Sequence, residues 1–338
     1  MGERVVIEPR QQKYFLCGGA GFIGSQFIDA LLRHHDCLRI TVYDNFSSGR
    51  EWHYAHHAQD PRLLVVRGEV EDTKLLTTAM RGHDVVVHLA SNPDIARAAI
   101  EPRIDFDQGT ALTQSVLEAM RVSRVPKLLY ASGSGVYGDL GEIEAAEDYA
   151  PLAPVSTYGA SKLAGEVLIH AYCSMFDLTA CAFRFGNVVG PRQTHGVGFD
   201  FLRKLASDPE HLTILGDGSQ SKSYIHVRDI VSAVMLAASR APEPFAVYNV
   251  ATGDYITVTE IADLAVECAG LRPGSVRFTY TGGKRGWKGD VPVVRLNTDR
   301  IKALGWSCTM NTRAALRASM SAMASDDQWR EAWTAVLQ

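Results

Sequence analysis

Residues 14–25 read Tyr-Phe-Leu-Cys-Gly-Gly-Ala-Gly-Phe-Ile-Gly-Ser. A short apolar run suited to a buried strand leads into Gly18, Gly21 and Gly24, and apolar residues at helical spacing follow over 22–33. Glycines between a strand and a helix permit a tight turn and a close approach to the backbone. The helix that starts there aims unpaired N–H groups and the positive end of its dipole at the turn, a natural seat for phosphate.

Outward from this unit, β-rich runs at 40–43, 63–67, 84–89, 127–131 and 179–183 alternate with helix-length stretches such as 110–121 and 158–172. Apolar strands alternating with helices predict an α/β, Rossmann-type, doubly wound parallel sheet covered on both faces. After Arg184 the pattern loosens around Pro191, Gly196, Gly198, Gly216 and Gly218, with helical runs at 199–207, 229–239, 257–268 and 311–324. We assign 1–184 to the dinucleotide-binding domain, with 223–250 returning to its sheet as strand–helix–strand. Residues 185–222 and 251–338 form a smaller C-terminal α/β substrate lobe that lends loops to the sheet edge.

The 338 residues are 46% hydrophobic and 21% charged with a net charge of −4, ordinary for a globular enzyme. No basic run marks a nucleic-acid surface and no stretch approaches a membrane span. The first twelve residues are polar and lack the apolar core of a secretion signal. Cys17, Cys37, Cys173, Cys181, Cys268 and Cys308 are scattered without CxxC spacing, as expected of buried thiols in a reducing cytoplasm rather than of a metal site.

Asp44 closes the second strand, 20 residues after Gly24 (44 − 24). A carboxylate there accepts hydrogen bonds from an adenosine ribose and repels a 2′-phosphate, which selects NAD over NADP; Arg50 stands close enough in sequence to oppose this. Phe22 and Ile23 in the first helical turn, and Asn45, Ser48 and Gly49 after Asp44, are assigned to the same cofactor surface. Glu69 and Val70, and Leu89 and Ala90, follow the third and fourth strands, where they suit adenine and ribose or ordinary packing.

Tyr158 and Lys162 form YxxxK, which places both side chains on one helical face. An ammonium and a positive nicotinamide ring together stabilise a phenolate, so Tyr158 becomes a usable base.

The segments GGAGFIG, DNFSSG, HLAS, SGSGVYG, YGASKLAGE, GNVVGPR and GDGSQSKSYIHVRD together resemble the extended short-chain dehydrogenase/reductase family of NAD-dependent nucleotide-sugar epimerases and dehydratases, over residues 13–306. The resemblance implies bound NAD and a nucleoside-diphosphate sugar between the lobes, with Tyr158 taking the proton of the sugar 4-hydroxyl. It also implies a homodimer formed through helices near 108–121 and 158–173. The family's assisting serine or threonine lies three residues before the valine of VYG, which is Gly133 here; Ser132 and Ser134 flank it. The family's dehydratases carry an Asp-Glu pair just before VYG, and its uronate decarboxylases a Glu. This chain has Ser134 and Gly135 instead, which points to a 4-epimerase.

The resemblance assigns Asn187 to the sugar and phosphates and puts Lys222 where many relatives carry a diphosphate-binding arginine. Arg285 is a second candidate for the diphosphate. Arg192 is expected near C6 of the hexose, where its fork suits a carboxylate, so UDP-glucuronate is the expected substrate. UDP-glucose or UDP-N-acetylglucosamine is the alternative, then dehydration of a nucleotide sugar. A non-catalytic NAD sensor is the non-enzymatic alternative.

Overall fold

A computed structural model describes residues 11–325 apart from 93 and 243, so both termini of the expected lobes lie outside the described residues. The strands run in the order β1 (Gln12–Cys17), β2 (Cys37–Asp44), β3 (Leu63–Arg67), β4 (Val85–His88), β5 (Lys127–Gly133), β6 (Glu144–Ala145), β7 (Thr179–Phe185), β8 (Asn187–Val189), β9 (His211–Ile214), β10 (Ser221–Lys222), β11 (Tyr224–His226), β12 (Phe245–Val250), β13 (Ile256–Thr257), β14 (Arg277–Tyr280) and β15 (Arg295–Leu296). The helices are α1 (Phe22–Leu32), α2 (Thr73–Met80), α3 (Leu112–Ser123), α4 (Thr157–Phe176), α5 (Val197–Ser207), α6 (Val227–Arg240), α7 (Val258–Cys268), α8 (Asp299–Ala303) and α9 (Thr312–Ser325).

Seven strands build the central sheet in the order β12-β7-β5-β4-β1-β2-β3, all parallel. The order reverses at β1, so connections leave in opposite directions from β1 and β4 and open a crevice at their C-terminal ends. Alternate side chains feed opposite faces. Leu16, Val42, Val87 and Leu129 pack with Phe27, Ile28, Ile230 and Val234 of α1 and α6, while Phe15, Tyr43, Val86 and Leu128 pack with Val116, Met120 and Ile169 of α3 and α4.

The expected strands and helices form with small shifts of their ends. A wider π-helical turn, Phe106–Ala111, precedes α3. The return at 223–250 is corrected: β12 joins the sheet beside β7, but β11 pairs with β8 in a separate two-stranded ribbon. The Gly186 N–H makes the last bond to the main sheet, donating to the Val250 carbonyl at 3.0 Å, and the β8 ladder with β11 begins at Asn187. A third apolar cluster, with Phe201, Leu205, Leu264, Leu316 and Met320, gathers α5, α7 and α9 above the crevice. Four of the six cysteines are buried and all six are free thiols. No described helix is long and apolar enough to cross a membrane.

Candidate active site

A cavity of about 730 Å³ runs from the glycine-rich turn, past Tyr158, to α5 and the 286–291 loop. At one end the backbone itself makes the wall. Gly18 has φ +76°, and a Cβ there would stand 2.5 Å from the Ala90 nitrogen; a Cβ on Gly24 would stand 2.3 Å from the Gly19 carbonyl oxygen. No acidic residue occupies the first turn of α1, which leaves its N-terminus open to an anion. Gly21, Phe22, Ile23, Asn45, Ser48, Glu69, Val70, Leu89 and Ala90 line this end.

Asp44 is held ready for a ribose. One carboxylate oxygen accepts from the Ala20 N–H at 2.9 Å and the other from the Phe46 N–H at 2.8 Å. Burial pushes its carboxyl above the ordinary value, and these two backbone donors pull it back. Gly49 does not line the cavity. It packs behind Asp44, where a Cβ would meet the Ala20 Cβ at 2.9 Å. The Arg50 guanidinium donates to the Gly49 carbonyl at 2.8 Å. The glycine cradle, the free helix N-terminus and Asp44 fit NAD.

Tyr158 stands in the first turn of α4, which Ser156 caps by accepting from the Gly159 N–H at 3.1 Å. The Lys162 ammonium lies 5.5 Å from the Tyr158 ring centroid and donates to the Ala131 carbonyl at 2.9 Å. Burial lowers Lys162 to about 8, against Asp105 and Glu166, which raise it. Burial also pushes the Tyr158 phenol up to about 12, with a neighbouring Ser91 side chain acting the other way. Removal of water thus dominates the phenol in the protein alone, and the expected base form draws on Lys162 and the positive nicotinamide ring together.

Ser132 and Ser134 both line the cavity, in different states. The Ser132 hydroxyl donates to Glu166 at 2.5 Å, within a buried network in which Arg184 pairs with Glu166 at 2.8 Å and Tyr137 at 2.9 Å. Ser134 opens the short turn Ser134–Tyr137.

At the far end Asn187 lines the cavity and donates to the Ser223 carbonyl at 3.2 Å. Lys222 lines it too, ion-paired with Asp290 at 2.6 Å. Two expected substrate residues are absent from the wall. Arg285 points to Asp139 at 2.7 Å and to the Asp290 carbonyl at 3.0 Å, and Gly286 and Trp287 line the cavity in its place. Arg192 has φ +67° and does not line the cavity. Its guanidinium pairs with Asp29 of α1 and donates to the His53 carbonyl at 3.1 Å.

Residues 14–251 match the NAD dependent epimerase/dehydratase family. The chain belongs to that family. A UDP-glucose 4-epimerase of Mycolicibacterium smegmatis is 32% identical over 296 residues, covering 86% of this chain and 91% of the relative. A crystal structure of a UDP-galactose 4-epimerase superposes with TM-score 0.81 at 34% identity, covering 92% of this chain and 98% of the other. The dTDP-glucose 4,6-dehydratase DesIV of Streptomyces venezuelae, solved with NAD bound, superposes with TM-score 0.87 at 25% identity, covering 95% and 99%. NAD is the cofactor of the family.

Several residues of this epimerase/dehydratase wall were not singled out in the sequence: Ser91, Gln108, Gln193, His195, Asp200 and Trp287. Gln193 and His195, close neighbours of Arg192, and Trp287, close to Arg285, line the cavity from the same two loops. In an irregular loop no periodicity says which residue faces inward. Burial lowers the pKa of His195.

Proposed function

We propose that this protein is a UDP-hexose 4-epimerase whose substrate is a neutral hexose, interconverting UDP-glucose and UDP-galactose. One observation carries the reading: the wall from Ser132 to Gly135 beside Tyr158 offers hydroxyls and glycines but no carboxylate. Eliminating water across C5–C6 requires an acid and a base at that place. With Tyr158 alone the economical course is loss of the C4 hydroxyl proton, turning of the keto sugar, and return of hydrogen on its other face.

Tyr158 takes and returns the proton, and the Lys162 ammonium favours the phenolate. When bound, NAD takes up and gives back the hydrogen and electron pair of the C4 carbon. A Cβ on Gly133 would meet nothing within 4 Å, so the sugar has room to turn there. Lys222 is the candidate contact for the diphosphate, as a point charge.

A neutral hexose fits better than the uronate expected from Arg192. Among the described residues no guanidinium lines the cavity, and Lys162 and Lys204 are held by the Ala131 and Thr213 carbonyls. The similarity to UDP-glucose and UDP-galactose 4-epimerases supports the same choice. The second reading is a 4,6-dehydratase, favoured by the likeness to DesIV.

Incubation with UDP-glucose, UDP-galactose, UDP-N-acetylglucosamine and UDP-glucuronate, with products resolved by NMR, tests this. We expect UDP-glucose and UDP-galactose to interconvert with no lasting absorbance of reduced cofactor. A 4-keto-6-deoxy product would make the protein a dehydratase. UDP-galacturonate formed from UDP-glucuronate, with neutral sugars untouched, would restore the uronate reading.

The reading includes a homodimer through α3 and α4, whose exposed surfaces carry Val122, Val167, Met175 and Phe176, and a cytoplasmic location. Sedimentation and cell fractionation check these.

A further inference from the structure

We propose that Ser91, which follows β4, is the hydroxyl partner of Tyr158, donating to its oxygen as the phenolate forms. The inference rests on the epimerase reading for its chemistry and on three placements for its geometry. The Ser132 hydroxyl is spent on Glu166 at 2.5 Å, and Gly133 has no side chain to offer. Ser91 lines the same cavity as Tyr158, and its side chain is near enough to the phenol to lower its pKa.

The third placement is a brace. Asp105, only 1% exposed, accepts from the Asn92 side-chain amide at 2.8 Å through one oxygen and from the Thr157 hydroxyl at 2.6 Å through the other. Asn92 follows Ser91 and Thr157 precedes Tyr158, so one buried carboxylate fixes both neighbours of the pair. The brace has a cost, because the Asp105 charge disfavours a phenolate nearby. Lys162, one turn along α4, and the Ser91 hydroxyl offset it. In the reaction the sugar hydroxyl proton passes to the Tyr158 oxygen. Ser91 keeps its own proton and stays a donor to that oxygen.

The test uses the NAD-loaded protein without sugar. Phenolate absorbance is titrated in wild type, Ser91→Ala and Ser134→Ala, each against its Tyr158→Phe counterpart. Ser91→Ala is expected to move the Tyr158 titration upward by about 1–2 pH units. The rising limb of kcat against pH should move with it, and kcat at neutral pH should fall about tenfold or more, with KM changed little. Gly133 is extended at φ −158° and open around its Cβ, so Gly133→Ser can supply a hydroxyl on another side. Recovery of kcat in Ser91→Ala/Gly133→Ser supports the role. An unmoved titration in Ser91→Ala overturns the proposal, as does a shift produced by Ser134→Ala instead. Because the titration needs no sugar, a wrong epimerase reading leaves it intact as a test.

Discussion

Arg192 is ion-paired with Asp29 of α1, and the pair pins the loop after β8 to the dinucleotide-binding half of the molecule. His56 and His57 reach the same carboxylate at 2.8 and 2.9 Å, and the His53 ring contacts the Arg192 carbonyl at 3.1 Å. Burial alone would raise the Asp29 carboxyl, but Arg192 and the two histidines hold it below the ordinary range.

On the neutral-hexose reading Arg192 supports the loop, and its expected role at C6 of the sugar is tested by substitution. Arg192→Ala should destabilise the protein by about 1.5–3 kcal/mol, the range for a charge-assisted bond. Any loss of kcat/KM should be equal, within about twofold, for UDP-glucose and UDP-glucuronate. Urea denaturation and paired kinetics check both. The pair should also add acid sensitivity: a depressed carboxylate contributes stability above its unfolded value, and that contribution disappears as pH falls through the folded one.

Tyr158→Phe keeps the ring packing and removes the phenol. Turnover should fall by about 10²-fold or more, with NAD still bound. Single-turnover kinetics together with cofactor analysis of the purified variant measure the two halves of this expectation.

Asp44→Ala removes the acceptor of the Ala20 and Phe46 amides as well as the ribose partner. NAD binding should weaken by about 10-fold or more, from the loss of charge-assisted bonds of about 1.5–3 kcal/mol. Discrimination against NADP should relax in the same variant. Calorimetric titration with both cofactors gives the ratio.

Lys162 makes a prediction of opposite sign for stability and activity. Its folded pKa, about 8, lies below the value for an exposed lysine. The unfolded chain therefore binds more protons between those two values, and stability rises with pH across that window. Lys162→Met should raise stability at neutral pH by about 1–3 kcal/mol, a gain that fades as pH nears about 10. It should also reduce turnover by at least about 10²-fold. Urea denaturation across pH, beside activity, separates the two effects.

The sequence by itself determined the sheet, the cofactor end and the reacting pair, because each is written in short-range pattern. Continuous apolar runs define the buried strands, Gly18 takes a positive φ and Gly24 a close backbone approach that a side chain would block, and a four-residue step fixes Tyr158 and Lys162 to one helical face. Tertiary structure alone decided what the second half contributes. β11 pairs with β8 outside the main sheet, and the Arg192 guanidinium meets Asp29, 163 residues earlier. Asp105 ties Asn92 to Thr157 and so brings the segment after β4 beside the start of α4. Such contacts join residues far apart in the chain through irregular loops, where no local period tells which way a side chain will point.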